Sequence, residues 1–188
     1  MNKDILIKTA TALFAAHGVK AVSMERIATE AGVSEKDAEA EFNNVEQLLE
    51  QCMIREIETI DAAVCDAVSQ AQSSMERLIN TVSVILARLS VFCPAFFNDL
   101  KDYASAKKQS AYFSEKFHNR CVEYLIECEK DGFISSDMDM KSTALFCIEQ
   151  MNSMQRKYQT KMTRIFLESI STEKGYREIK RIESLKFN

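Results

Sequence analysis

The chain has 188 residues, of which 46% are hydrophobic and 28% are charged, and its formal net charge is -4. This length lies near the upper end of one domain's usual size, and the apolar content excludes a disordered chain. Only four glycines and one proline interrupt the sequence. Because an all-β fold needs many more turn residues, the composition predicts an all-α fold of long helices with short connections.

The apolar stretches, the N-terminus and the cysteines together predict where the protein is located. No apolar stretch reaches the ~18 residues of a spanning helix, and the N-terminus lacks the regions of a signal peptide. The six cysteines form no C-x-x-C pair, which indicates small buried hydrophobes in a reducing cytosol. A thiol redox sensor is the alternative, with Cys121 and Cys128 as candidates. Within one helix their Cα atoms would lie about 10 Å apart, too far for a disulfide. We expect a cytoplasmic protein without a membrane segment.

The first fifty residues, which we call the head, predict short helices separated by tight turns. Apolar residues recur at helical spacing, and each helix has a capping residue or a terminating glycine. The first predicted helix is Lys3–His17, which Gly18 ends, and the second is Met24–Ala31, which Ser23 caps and Gly32 ends. Ser34 starts the third helix, with Asp37 three residues later, close to a capping box, and Asn44 with Gln47 caps the fourth. Two short helices joined by a glycine turn and braced by a preceding helix make a helix-turn-helix.

The order of residues in the head carries a family resemblance. It reads L-x-x-x-A-x-x-L-F-x-x-x-G from Leu6, S-M-x-x-I-A-x-x-A-G-V-S from Ser23 and F-N-N-x-E-x-L-L from Phe42. On these residues the head resembles the TetR family of bacterial transcription regulators, while the remaining chain matches only in architecture. The resemblance implies a three-helix helix-turn-helix DNA-binding domain over residues 1–46. It implies a helical bundle for ligand binding and dimerisation over residues 47–188.

Long amphipathic stretches follow the head. The first four predicted helices are Val45–Gln70, Ser74–Phe92, a short aromatic helix after Pro94, and Lys107–Lys130. The next is opened by Ser136 or Asp137 and contains Leu145, Ile148 and Met151. A further helix contains Met162, Ile165 and Phe166, and the polar tail forms a last short surface helix. In TetR-like proteins the last two main helices of two subunits pair as a four-helix bundle. The resemblance therefore implies a homodimer through residues 138–172.

The resemblance also implies that the head binds double-stranded DNA, and the contacts it implies are Ser23, Arg26, Ser34, Lys36, Asn43 and Asn44. The charge of the head opposes this, since it has five lysines and arginines against nine aspartates and glutamates. Glu35 and Asp37 lie in a first helical turn, where the helix dipole favours anions. Glu39, however, would face phosphate where a neutral hydroxyl usually stands in similar proteins. We therefore expect weak binding that is best seen at low salt.

A small-molecule effector is the second partner that the resemblance implies. Such a pocket is mostly apolar with a few orienting polar groups. The candidate lining residues are Phe92, Phe96, Phe97, Tyr103, Phe113, Phe117, His118 and Met151. Aromatic and methionine residues at helical spacing are also typical of an ordinary core, so both interpretations stay open here. No cofactor or metal is predicted.

An enzyme is not predicted. Glu115 and His118 have the Glu-x-x-His spacing of a di-iron site, but the only other histidine, His17, has Phe14 where the glutamate would stand. No phosphate loop or nucleophile elbow occurs. The predicted function is a TetR-like DNA-binding transcriptional regulator, a repressor released by a small apolar ligand. The alternative is a TetR-shaped dimeric module that binds a ligand or a protein and has lost specific DNA binding because its recognition helix is acidic.

Overall fold

The computed structural model describes residues 2–145 and 156–186. Within these ranges the chain is helical apart from its connections and one isolated antiparallel bridge between Ile134 and Ser171, which confirms the all-α prediction. The helices are α1 Asn2–His17, α2 Met24–Ala31, α3 Glu35–Glu41, α4 Val45–Ser69, α5 Ser74–Leu89, α6 Pro94–Asp99, α7 Ala104–Lys130, α8 over residues 140–145, α9 Arg156–Ile170 and α10 Glu173–Lys186. A 3-10 turn, Leu100–Asp102, follows α6. No single helix among the described residues could span a membrane, although α5 and α6 taken together as a bent pair have the required length and hydropathy.

The limits of α1 and α2 follow from local chemistry. Gly18 adopts a φ of 84° directly after α1, a conformation that costs glycine little. The Ser23 hydroxyl accepts a hydrogen bond from the backbone N–H of Arg26 at 3.2 Å and so caps α2. Gly32 ends α2 in the left-handed conformation with a φ of 69°. These predicted boundaries are confirmed.

The described chain divides into two compact units. Unit 1 comprises the residues up to Ile60 together with Leu89–Phe113, and unit 2 comprises Asp61–Arg88 together with the residues from Ser114 onward. The head therefore folds together with a segment that lies much later in the chain. The predicted division at residue 46, between a DNA-binding domain and a ligand-binding domain, stays a prediction.

The core of unit 1 joins the three helices of the head to this later segment. Its buried side chains include Leu6, Phe14, Ile27, Phe42 and Leu49 from the first segment and Phe92, Phe96, Leu100 and Ala106 from the second. The rings of Phe92 and Phe96 lie 4.6 Å apart between centroids. Burying a large apolar side chain contributes roughly 1.5–3 kcal/mol. The second segment therefore stabilises the helix-turn-helix directly.

The core of unit 2 includes the last helix of the chain. Ile179 and Ile182 of α10 are 2% and 1% exposed, and they pack with Leu78, Leu125 and Ile134. Because the two isoleucines are three residues apart, they lie on one face of the helix. The predicted helix in the polar tail is therefore confirmed, but its placement on the surface is wrong, because one face of it is part of the core.

The start of α8 also differs from the prediction. The helix begins at residue 140, and the Asp139 carboxylate caps it by accepting the backbone N–H of Ser142 at 3.3 Å. The prediction of Ser136 or Asp137 as the opening residue is wrong. The Asp137 carboxylate is instead bound by the Ser135 hydroxyl in the turn that precedes the helix.

Candidate nucleic-acid interface

Helix α3 is the second helix of the helix-turn-helix, and side chains at its start close its first turn. The Ser34 hydroxyl accepts the backbone N–H of Asp37 at 3.1 Å and donates to the Asp37 carboxylate at 2.6 Å. Ala38 is fully buried, and Phe42, at the end of the helix, is 1% exposed. Two anchors in the core and one cap thus hold this seven-residue helix.

The start of α4 forms a second closed cap beside α3. The Asn44 side-chain oxygen accepts the backbone N–H of Gln47 at 2.9 Å, as predicted. The Gln47 side-chain oxygen in turn accepts the backbone N–H of Asn43 at 2.8 Å. This reciprocal pair satisfies backbone donors that a helix start otherwise leaves unpaired. No described residue accepts a hydrogen bond from the side-chain amide of Asn44.

The structure places the six predicted DNA contacts in the first turns of α2, α3 and α4 or just before them. Ser23, Ser34 and Asn44 are capping residues, so each has a structural role in addition to the predicted one. The Arg26 guanidinium lies 3.0 Å from the ring of His17. Lys36 and Asn43 are exposed, and no side chain in the described ranges bonds to theirs. Contact of these residues with DNA stays a prediction.

The acidic charge of the head is less available than its count indicates. Asp4 forms an ion pair with Arg55 at 2.7 Å. Glu46 and Glu50 accept hydrogen bonds from side chains near the start of α7 at 3.2 and 3.4 Å. On α3, described residues provide no partner for the carboxylates of Glu35, Glu39 and Glu41. Glu25 and Glu30 on α2 likewise have no partner among the described residues, so the repulsion that phosphate would meet comes from α2 and α3.

Asp99, at the end of α6, holds the turn between α1 and α2. Its carboxylate oxygen Oδ2 accepts the backbone N–H groups of Val19 at 2.8 Å and Lys20 at 3.0 Å. Gly18 allows this approach, because a Cβ atom at that position would lie 2.8 Å from the same oxygen. We call this arrangement the turn clamp. Nothing in the local sequence pattern indicates it, since Asp99 and Val19 are 80 residues apart.

Two further contacts join the same segments. Lys20 and Asp102 form an exposed ion pair at 2.6 Å, and this contact raises the pKa of Lys20 and lowers the pKa of Asp102. The backbone N–H of Cys93 donates to the carbonyl of Ala15 at 2.7 Å. Exposed ion pairs contribute little to stability. The backbone hydrogen bond from Cys93 to Ala15 and the turn clamp are therefore stronger polar links between the head and the segment around α6 than this ion pair.

The predicted ligand-pocket residues are divided between the two units. Phe92, Phe96, Phe97, Tyr103 and Phe113 belong to unit 1, Phe117 and His118 belong to unit 2, and Met151 lies outside the described residues. The Nδ1 atom of His118 is buried and has no hydrogen-bond partner among the described residues. A pocket lined by these residues stays a prediction.

Unit 2 contains a charged cluster and a groove that the sequence did not indicate. The Asp61 carboxylate pairs with Lys116 at 2.8 Å and Arg120 at 2.9 Å, and the hydrogen bond from Lys116 lowers the pKa of Asp61. A groove of about 540 Å³ is lined by Phe133, Glu173, Lys174, Arg177, Glu178 and Arg181. No group of three or more His, Cys, Asp or Glu side chains in the described ranges could hold a metal ion.

The buried thiols argue against the redox-sensor alternative. Cys52, Cys121 and Cys128 are buried, whereas Cys65 is exposed. Burial raises the pKa of the Cys52 thiol to about 12 and those of the Cys121 and Cys128 thiols to about 11. Because the thiolate is the reactive form, thiols that stay protonated at neutral pH are poor nucleophiles.

Thiol labelling of the folded protein is expected to follow this order. With iodoacetamide at pH 8, mass spectrometry should find Cys65 modified well before Cys52, Cys121 and Cys128. Labelling in urea is the control, because unfolding exposes all thiols equally. Modification of Cys121 or Cys128 in the folded protein as fast as Cys65 would contradict the prediction.

Comparison with known proteins identifies the head by sequence. Residues 6–52 match the model of the family described as bacterial regulatory proteins, tetR family. The matched range covers most of α1, all of α2 and α3, and the start of α4. No curated protein matches the chain in sequence.

Solved structures match the fold of nearly the whole chain. A protein from Saccharomonospora viridis, described as a transcriptional regulator in complex with choline, is 15% identical with a TM-score of 0.79 over 91% of this chain and 97% of that one. The ketosteroid transcriptional regulator KstR2 of Mycobacterium tuberculosis is 16% identical with a TM-score of 0.68 over 92% and 96%. The superantigen PfiT is 14% identical with a TM-score of 0.72 over 92% and 97%. The chain thus has the fold of TetR-family regulators.

Proposed function

We propose that this chain, with a TetR-family head and the fold of TetR-family regulators, is a DNA-binding transcriptional regulator that a small apolar ligand releases from its operator. The observation that carries the proposal is the helix-turn-helix itself. All three of its helices pack into one core, α3 and the start of α4 have complete caps, and the outer surface of α3 is exposed. A helix held in this way can enter a major groove without further folding.

The starts of α2 and α4 suit contacts with the DNA backbone. A helix N-terminus attracts phosphate because its first N–H groups and its dipole face outward. Ser23 stands at the start of α2 and Asn44 at the start of α4, and the free amide donors of Asn44 and the exposed Asn43 supply further hydrogen bonds. We expect these contacts to position the protein and α3 to read the sequence.

Binding is expected to be weak and to depend modestly on salt. In a plot of the logarithm of affinity against the logarithm of salt concentration, each phosphate that the protein neutralises contributes about -0.9 to the slope. In the head, Lys20, Arg26 and Lys36 lie within three residues of Ser23 or Ser34 along the sequence, and Lys20 is already paired with Asp102. The unpaired carboxylates of α3 further oppose approach to phosphate.

The proposal includes a homodimer through residues 138–172 that acts in the cytoplasm. Within the described part of this range, Leu145, Met162 and Ile165 are 50%, 39% and 45% exposed. Met162 and Ile165 lie one turn apart on α9, and large apolar side chains exposed together in this way suit a partner surface. A ligand would then release DNA by favouring a different spacing of the two heads. Light scattering at micromolar concentration tests the dimer, and a monomer there would contradict it.

The test of DNA binding is a fluorescence-anisotropy titration of the protein against the DNA that flanks its own gene, at several salt concentrations. A random duplex of equal length is the control. Binding to the flanking DNA that exceeds the control and weakens with salt supports the regulator. If no binding occurs at low salt, selection from a random-sequence pool follows, because the operator can lie elsewhere. If that selection enriches no sequence, the regulator is excluded and the dimeric binding module with an acidic head takes its place.

A further inference from the structure

Helix α3 presents a narrow outer face whose two central residues can be identified from its geometry. Ala38 is fully buried, and therefore marks the side of the helix that faces the core. At about 100° per residue, the positions two before and two after it lie about 160° away, on the opposite side. These positions are Lys36 and Ala40, and both are exposed.

The acidic residues of α3 lie to the sides of this outer face. Asp37 and Glu39 are adjacent to Ala38 in sequence and therefore lie about 100° from it on either flank. The Asp37 carboxylate is bound by the Ser34 hydroxyl and so is turned toward the start of the helix. Lys36 is the only cation on α3, and none of the described residues forms an ion pair or hydrogen bond with its side chain.

We propose that Lys36 reads a guanine in each half of the operator and that Ala40 contacts a thymine methyl group close to it. The inference rests on the proposed function, and it gives that function a base preference. A lysine ammonium donates to guanine O6 and N7, and an alanine methyl packs on the methyl group of thymine. Four residues along a helix span about 6 Å, roughly two base-pair steps.

The position of Lys36 favours a base over a phosphate. The residue opposite the core is the one that extends deepest when a helix enters a groove, whereas phosphate contacts lie at the rim. The two flanks of α3, which face that rim, carry the carboxylates of Asp37 and Glu39 rather than cations. An isolated cation between flanking acids is thus directed toward the floor of the groove, where guanine presents its two acceptors.

The test is selection from a random duplex pool by the wild-type protein and by two variants, Lys36→Ala and Lys20→Ala. Both variants remove one exposed lysine from the head, so they match in charge. The wild-type protein and Lys20→Ala should enrich a guanine at one fixed position of each half-site. Lys36→Ala should lose that preference, and its affinity for the selected site should fall roughly 5- to 150-fold, as expected for one base contact.

The outcomes separate this inference from the proposed function. If Lys36→Ala weakens selected and random duplexes equally and lowers the salt slope by about 0.9, Lys36 contacts a phosphate and the inference is wrong while the regulator stands. The same conclusion holds if the variant keeps the guanine preference. If the wild-type protein enriches no sequence, the proposed function fails, and the inference fails with it.

Discussion

Replacing Asp99 with alanine is expected to lower the free energy of unfolding by about 2 kcal/mol, because two backbone donors lose a charged acceptor. Val19, the first of these donors, is 1% exposed, so water cannot easily replace the carboxylate. The turn clamp fixes where α2 begins after α1, and α3 follows α2 directly. We therefore also expect the affinity for DNA to fall by about tenfold.

Urea unfolding followed by circular dichroism measures the first effect, and anisotropy at low salt measures the second. Asp102→Ala is the matched control, because it removes a neighbouring carboxylate whose contact with Lys20 is exposed. This control should unfold as the wild-type protein does, and its affinity for DNA should not fall, because the substitution removes a negative charge from the head's surroundings. Asp99→Asn should be intermediate, since an amide oxygen still accepts both N–H groups. Equal behaviour of Asp99→Ala and Asp102→Ala would show that the turn clamp contributes nothing.

Replacing Gly175 with alanine is expected to destabilise unit 2 by about 3 kcal/mol, at the upper end of overpacking costs. A helix with glycine at an interior position is normally less stable than one with alanine by about 1 kcal/mol. Helix propensity alone would therefore predict that Gly175→Ala stabilises the protein. Here a Cβ atom would lie 2.0 Å from the carbonyl oxygen of Phe133 and 2.9 Å from its carbonyl carbon. The same carbonyl accepts the backbone N–H of Thr172 at 2.9 Å, which anchors the start of α10 to the turn after α7.

Gly132→Ala is the control for Gly175→Ala. Gly132 belongs to the same unit and has a φ of 73°, but a Cβ atom there would meet nothing within 4 Å. Its cost is thus only the strain of a left-handed alanine, about 1 kcal/mol. Urea midpoints of the two variants compare the two costs. If the Gly175→Ala protein is as stable as the Gly132→Ala protein, the turn at Phe133 and the start of α10 can move apart without a cost in stability, which would contradict the prediction.

The helices of the head were predictable because their boundaries are set by neighbours in sequence. Ser23, Ser34 and Asn44 each cap a helix through a backbone N–H only three residues away, and Gly32 ends α2 by its own conformation. Such pairs recur as sequence patterns, since a helix start always needs the same acceptors. The same reasoning misplaced the start of α8, where several serines and aspartates offered caps within five residues.

Tertiary partners were not predictable in the same way. The charge count treated Glu46, Glu50 and Glu39 alike, yet Glu46 and Glu50 have hydrogen-bond partners near the start of α7, and no described residue pairs with Glu39. Asp99 gave no signal because its acceptor role depends on a turn 80 residues away. The burial of Ile179 was likewise hidden within a polar sequence, since two isoleucines suffice to anchor α10. For the candidate interface, sequence reasoning therefore found the caps but not what holds them in place.

The discontinuity of unit 1 has a consequence for synthesis on the ribosome. The three helices of the head emerge first, but Phe92, Phe96, Leu100 and Ala106 complete their core only when the chain has been made well beyond α5. Until then the nascent head exposes apolar surface, which binds chaperones and promotes aggregation. For the same reason, a head transplanted onto another protein would need the α6 segment to accompany it.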